Sequence, residues 1–242
     1  MNTPNHPRKE SLEQRKKLEE GVKSGIVTIT GLVAFGRGEA FDYLIGEKTT
    51  NNAKKAITAS AAMLLLSKKP VISVNGNVTA LCAKETIELA NELNAQIEVN
   101  IFYPPEKRRT LIAKHFEKLG KKILGEKPSK TIDGISSNRQ LVDEKGIFQA
   151  DTILVPLEDG DRTIALKKTG KKVIAIDLNP KSRTSKTADI TIADNVIRAI
   201  PALTLELRKL RKQKKEKLEK IINSFDNKKN LLEALKIIKK NA

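Results

Sequence analysis

Residues 151–196 hold three short β-branched runs, DTILVP, KKVIAID and ADITIA, each closed by polar residues or by Gly and Pro. Runs of this length and composition build parallel strands buried on both faces, and they commit the chain to an α/β sheet. The chemistry lies in the connectors. DTILVP leads into Leu157-Glu158-Asp159-Gly160-Asp161-Arg162, KKVIAID into Leu178-Asn179-Pro180-Lys181-Ser182-Arg183-Thr184, and ADITIA into Asp194-Asn195. Ligands of open α/β sheets bind just beyond the carboxyl ends of the strands, where such loops converge. Carboxylates, amides and guanidinium groups at every strand end point to a small-molecule site for phosphates and a metal.

The rest of the chain fits that plan. Residues 11–23 place Leu12, Leu18 and Val22 at helical spacing, with Gly25 as the stop. Thr49 or Thr50 can cap a helix reaching about residue 67. PVISVN, then Gly76-Asn77 and a helix through Leu93, is one half of a βαβ unit. IEVNIF (97–102) is another buried strand, carrying Asn100, and residues 104–119 form a helix with proline in its first turn. Residues 126–138 read as a loop and 139–145 as a helical turn. After Ala199-Ile200-Pro201 the chain is helical, with a break at Asn223-Ser224-Phe225-Asp226-Asn227. Its apolar stripes (Leu203, Leu207, Leu210, Leu218; then Leu231, Leu235, Ile238) need a partner, either the main domain or a second subunit. A homodimer is expected. The expected fold class is α/β: a Rossmann-like, mostly parallel sheet with flanking helices, plus N-terminal and C-terminal helical extensions. Residues 1–203 would form the main domain and 204–242 a basic helical extension.

Composition narrows the partners. The 242 residues suffice for one sizeable domain with an extension. No apolar run reaches the ~18–20 residues of a membrane helix, and the longest, 59–66, fits a buried helix. The first residues lack the apolar core of a signal peptide, and the single Cys82 excludes an internal disulfide. A cytoplasmic protein is expected. The net charge of +17 invites a nucleic-acid reading. Residues 205–242, however, hold 13 Lys/Arg against 5 Asp/Glu, so eight of those charges sit in the tail, where a solvated helical surface accounts for them. With no Trp and 3% aromatics, the chain lacks the stacking faces of single-strand binders. No nucleic-acid or membrane partner is expected. His6 and His115 have no other ligand at metal spacing, which argues against a histidine-based zinc site.

Several residues carry two readings each. Gly36-Arg37-Gly38-Glu39 ahead of a helical pattern is a loop whose free N–H groups and Arg37 could bind an anion, or a plain tight turn. Asn75, Asn77 and Asn100 are turn residues, or substrate contacts at strand ends. Asp177 can accept ribose hydroxyls, as in dehydrogenases, but no glycine fingerprint precedes it. Asn179 can bond adenine or ribose, and Lys181 and Arg183 can hold phosphate. Glu158, Asp159 and Asp161, beside Arg162, could share a Mg²⁺ with substrate phosphates; alternatively Asp161 caps the next helix. Arg15 is a surface ion-pair partner or a ligand contact.

LVPLEDGDRT, VIAIDLNPKSRT and DNVIRAIP resemble the archaeal phosphopantothenate synthetases, 4-phosphopantoate–β-alanine ligases of coenzyme A biosynthesis. The resemblance extends back through HPRKESLEQRKKL, GLVAFGRGEAFDYLIGEKT and PVISVNGNVTAL, covering roughly residues 6–203. It implies a ligase using ATP and Mg²⁺, with 4-phosphopantoate and β-alanine as partners. Its ATP contacts map onto Arg15, Arg37, Asp177, Leu178, Asn179, Arg183, Thr184, Asn195 and Val196. It further implies catalysis around Arg37, Glu158, Asp159, Asp161 and Arg162, with Asn75, Asn77, Asn100 and Lys181 on substrate. Two other readings stand beside it: a nicotinamide-linked oxidoreductase with an atypical fingerprint, and a basic nucleic-acid-binding scaffold.

Overall fold

The computed structural model describes residues 8–102 and 105–242; His6 lies outside them. Among the described residues the organising element is a five-stranded, wholly parallel sheet. Its strands are β1 (Pro70–Val74), β2 (Gln96–Val99), β5 (Thr152–Pro156), β6 (Lys172–Ile176) and β7 (Ile190–Ile192), in the order β2-β1-β5-β6-β7. A two-stranded antiparallel ribbon, β3 (Lys130–Thr131) with β4 (Leu141–Val142), lies apart from it. The expected loop at 126–138 therefore contains a short strand. The helical turn expected at 139–145 is split into a 3₁₀ turn (Asn138–Gln140), β4 and a π-type turn (Glu144–Phe148).

Every residue of β1 and β5 is buried. Because side chains alternate across a strand, Ile72, Val74, Leu154, Ile174 and Ile176 join one core and Val71, Ile153, Val155, Val173 and Ala175 the other. The larger core is covered by α1 (Lys9–Lys23), α3 (Asn51–Leu66), α4 (Gly76–Leu93) and α8 (Val196–Leu210). The smaller lies under α6 (Gly160–Lys168) and the ribbon. On α1 the buried stripe is Ser11, Gln14, Leu18 and Gly21, while Leu12 is turned outward.

Two expected boundaries move. The GRGE segment does not precede a helix; it lies inside α2 (Ile29–Ile45), which runs from the Thr28 cap to Gly46 in the left-handed conformation. Thr28 Oγ1 accepts the Gly31 N–H at 3.0 Å, so the helix starts where that cap sits and not at the first glycine pair. Its free N–H groups are therefore far from Arg37. Helix α8 begins at the Asn195 cap and carries Pro201 inside it, rather than starting after Pro201.

The C-terminal helices α9 (Lys215–Asn223) and α10 (Asn227–Asn241) pack on α3, so their apolar faces meet the main body. Asn227 Oδ1 accepts the Thr191 N–H at 2.9 Å and Asn230 Nδ2 donates to the Thr191 carbonyl at 2.8 Å. Two side chains thus occupy backbone groups that the edge strand β7 would otherwise leave open.

Candidate active site

From β1 the chain steps outward to β2, then returns to place β5 on the other side of β1. The direction of winding reverses between β1 and β5, and a crevice opens beyond their carboxyl ends. Asn75 clamps that point. Its Nδ2 donates to the carbonyls of Pro156 (3.3 Å) and Leu157 (3.0 Å), and its Oδ1 accepts the Val78 N–H to cap α4. Leu157 holds a left-handed backbone, φ 53°, a strain of order 1 kcal/mol for a non-glycine residue. Two glycines permit close approach here. A Cβ on Gly76 would stand 2.3 Å from the Ile26 carbonyl oxygen, and one on Gly160 would stand 2.4 Å from Arg183 Cβ.

The resulting cavity, about 710 Å³, reaches across the strand ends and under α2. Of the expected site residues, Arg37, Asn75, Asn77, Glu158, Asp159, Asp177, Leu178, Asn179, Arg183, Thr184, Asn195 and Val196 line it. Arg15, Asn100, Asp161, Arg162 and Lys181 do not. Arg15 forms a two-point pair with Glu39 of α2, its Nη2 at 2.8 Å from Oε2. Lys181 is exposed, and only its N–H bonds inward, to Asn179 Oδ1.

At the β6 end the loop is tied to itself. Asp177 Oδ1 accepts the Asn179 N–H at 2.9 Å and its Oδ2 accepts the Ser182 hydroxyl. Burial pushes its carboxyl above the ordinary value, against those bonds. The five-residue α7 (Arg183–Thr187) follows, capped by Ser182. Arg183 pairs with Asp161 at 2.7 Å, both exposed, and Thr184 Oγ1 donates to the Glu158 carbonyl at 2.9 Å. Asn195 is held by its side chain: Nδ2 donates to Gln14 Oε1 (3.0 Å) and Asp42 Oδ2 (2.7 Å), which ties α8 to α1 and α2. Asn77 likewise donates to the Gly31 carbonyl at 2.9 Å. Arg37, on α2, is exposed and has no hydrogen-bond or ion-pair partner among the described residues.

The three loop carboxylates do not converge. Glu158 is clasped between Arg139 and Arg162, Asp159 caps α6 by accepting the Arg162 N–H at 3.0 Å, and Asp161 turns away to Arg183. The cap is Asp159, not Asp161, because α6 starts at Gly160. Burial raises the Glu158 carboxyl, but the two guanidinium charges outweigh it and hold the group below its usual range. Asp159 is raised, by burial and then by Glu158 beside it. Among the described residues no three His, Cys, Asp or Glu side chains are placed to hold a metal. The acidic knot expected as a Mg²⁺ site is thus an arginine-neutralised cluster. Arg162 is fully buried behind it, its Nη1 on Ser73 Oγ at 3.1 Å, and cannot reach a substrate directly.

The β2 end was not foreseen. Arg108, on α5 (Pro105–Lys118), and Arg139 line the cavity with Ile101 and Phe102. Asn100 Nδ2 donates to the carbonyls of Arg139 and Leu141, both at 3.1 Å, so its role here is to hold the Arg139 segment. Arg109, also buried, donates to the Asn138 carbonyl at 3.2 Å. Sequence offered one weak signal, the adjacent Arg108-Arg109 after a buried strand; nothing in it joined them to Arg139.

Residues 52–241 match the model of the family described as phosphopantothenate/pantothenate synthetase. The chain belongs to that family. A 4-phosphopantoate–β-alanine ligase of Thermococcus onnurineus is 51% identical over 232 residues, 95% of this chain and 89% of its own. That of Thermococcus kodakarensis is 50% identical over 238 residues, 97% and 91% of the two chains. That of Methanosarcina mazei is 49% identical over 231 residues, covering 95% and 91%. The family match spans every strand of the sheet and the strand-end loops of the crevice, while α2, which carries Arg37, precedes it. Among the described residues no helix is long and apolar enough to cross a membrane.

Proposed function

We propose that the chain is an ATP-dependent ligase joining 4-phosphopantoate to β-alanine, with 4′-phosphopantothenate, AMP and pyrophosphate as products, in coenzyme A biosynthesis. The observation that carries this reading is near-full-length identity of about half to ligases of that name, combined with a crevice running from one charged strand end to another. A carboxylate does not react with an amine unaided, because its oxygen is a poor leaving group. In the first step a carboxylate oxygen of 4-phosphopantoate attacks the α-phosphorus of ATP and pyrophosphate departs. In the second the neutral β-alanine amine attacks the acyl carbon, AMP departs, and the amine loses a proton.

The residues supply positioning and charge. Asp177, with Leu178 and Asn179 above β6, takes the nucleoside; the buried, raised carboxyl gains most from a hydroxyl pair. Arg37, Arg183 and Thr184 face the phosphates, with the capped starts of α4 and α6 between them. Asn75, Asn77 and Asn195 shape the crevice through their internal bonds. Arg15 and Lys181 act from outside it, Arg15 by fixing α2. Mg²⁺ is read as arriving on the nucleotide, since the chain's carboxylates are already neutralised by arginines.

Two further points belong to this reading. Ile29 and Val33, one turn apart on α2, are 72% and 62% exposed, an apolar strip that supports a second copy of the chain and a homodimer. A cytoplasmic location suits the substrates, and residues 1–203 hold every proposed site residue. The test is incubation with ATP, Mg²⁺, 4-phosphopantoate and β-alanine, with nucleotide analysis. AMP formed only when both acids are present is expected. ADP with inorganic phosphate, or no nucleotide turnover, would contradict it.

A further inference from the structure

The cavity has two cationic ends of different character. At the β6 end Arg183 already has Asp161. At the β2 end Arg139 neutralises Glu158 and Asp159 jointly with Arg162, two guanidinium groups against two carboxylates. Arg108 is left over. Its Nε and Nη1 are buried and meet no acceptor among the described residues. Burial, with Arg139 nearby, lowers its pKa to about 10, so the group is still charged at neutral pH. A half-buried cation with two sequestered nitrogens and no anion is costly to fold, and a chain keeps one where a ligand supplies the counter-charge.

The cation is also held in place. Arg109, the next residue, anchors α5 to the Asn138 carbonyl, and Asn100 fixes the backbone carrying Arg139. Position then selects the ligand. The order β2-β1-β5-β6 puts the β2 end three strand spacings, about 14 Å, from the β6 end where the nucleoside is placed. With Arg183 and Thr184 keeping the leaving pyrophosphate near the β6 end, in-line attack on the α-phosphorus brings the acid from the β1–β2 side. The group farthest from the nucleoside is then the one on the far side of the reacting carboxylate, which in the acid substrate is its phosphate.

We propose that Arg108, with Arg139 beside it, receives the phosphate of the acid substrate, and that Arg108 is the residue that separates a phosphorylated hydroxy acid from its unphosphorylated form. The inference rests on the ligase reading for the substrate's identity. The site as such, an anion receptor at the β2 end, does not depend on it.

The test compares Arg108→Gln and Arg108→Lys with wild type on 4-phosphopantoate and on pantoate. In Arg108→Gln, kcat/KM for the phosphorylated acid should fall about a hundredfold more than for pantoate, because charge-assisted, two-point contacts to phosphate are lost. The KM for ATP and for β-alanine should stay within about twofold, and Arg108→Lys should recover part of the loss. The thermal midpoint of Arg108→Gln should not fall, since an unpaired, half-buried charge is removed. Equal loss on both acids, or a loss confined to β-alanine, would overturn the proposal. If the wild type formed no AMP at all, the ligase reading would fail. Calorimetry with inorganic phosphate would then decide the site: binding abolished in Arg108→Gln supports it, and equal or absent binding in both proteins overturns it.

Discussion

The two ends of the crevice are built on opposite principles. At the β6 end one contiguous loop satisfies itself: Asp177, Asn179 and Ser182 bond each other, and Thr184 reaches to the Glu158 carbonyl. At the β2 end Arg108, Arg109 and Arg139 come from two segments some thirty residues apart and end with a guanidinium short of an anion. The first end trades internal bonds for ligand bonds, so binding there changes little in net count. The second gains a partner it lacked. That contrast predicts where selectivity resides: the nucleotide is positioned by shape and exchange, the acid by charge.

The largest effect should come from the joint between the ends. Glu158 carries both Arg139 and Arg162, and Glu158→Gln leaves the fully buried Arg162 without a carboxylate while Arg139 keeps only Asp159. A loss of roughly 3–5 kcal/mol in stability is expected from chemical denaturation, as for other broken buried ion pairs. A loss under 1 kcal/mol would mean that the two ends are independent.

A second effect, of comparable kind, is tied to pH. Glu98 on β2 is buried under the acid end and accepts the N–H groups of Asp143 (2.9 Å) and Ile147 (2.6 Å). Burial raises its carboxyl from 4.5 to about 7, against those two bonds and the charge of Arg162. The folded state therefore keeps a proton that the unfolded chain releases at lower pH. Stability from this group is full below pH 4.5 and is lost as pH rises through 7, by roughly 3 kcal/mol at 1.36 kcal/mol per unit. Denaturation across pH 4.5–8 should show that slope in the wild type and not in Glu98→Gln. Parallel curves for the two proteins would remove Glu98 from the account.

The parts of this molecule that could be read from sequence are those whose partners lie nearby in the chain. The runs around residues 152–156, 172–176 and 190–192 are strands because β-branched residues fill both faces, and the loops after them sit where ligands bind. Thr50, one of the two threonines expected to cap α3, is local in the same sense. What failed was long-range. GRGE looked like a helix start because glycines favour turns, yet Thr28, eight residues earlier, had already capped α2. The acidic knot looked like a metal set because its neutralising Arg139 stands about twenty residues away and carries no motif. Arg108 was invisible because its meaning is the absence of a partner, which only packing reveals.

The smallest of the effects tests the nucleotide end. Asp177→Asn keeps the shape but not the charge, and the Asn179 and Ser182 donors retain one carbonyl oxygen to share. Nucleotide affinity by calorimetry should fall about tenfold to a hundredfold, the loss of one charge-assisted bond, with little change in thermal midpoint. Unchanged affinity would place the ribose elsewhere.

The adenylate step is where both ends must act together, and an isotope follows it directly. The wild-type enzyme would be given 4-phosphopantoate carrying ¹⁸O in its carboxylate, together with ATP and β-alanine, and the products read by mass spectrometry. Attack of that carboxylate on the α-phosphorus, followed by expulsion of AMP by the amine, leaves one ¹⁸O in AMP and none in the inorganic products. Label in inorganic phosphate, accompanied by ADP, would contradict the account.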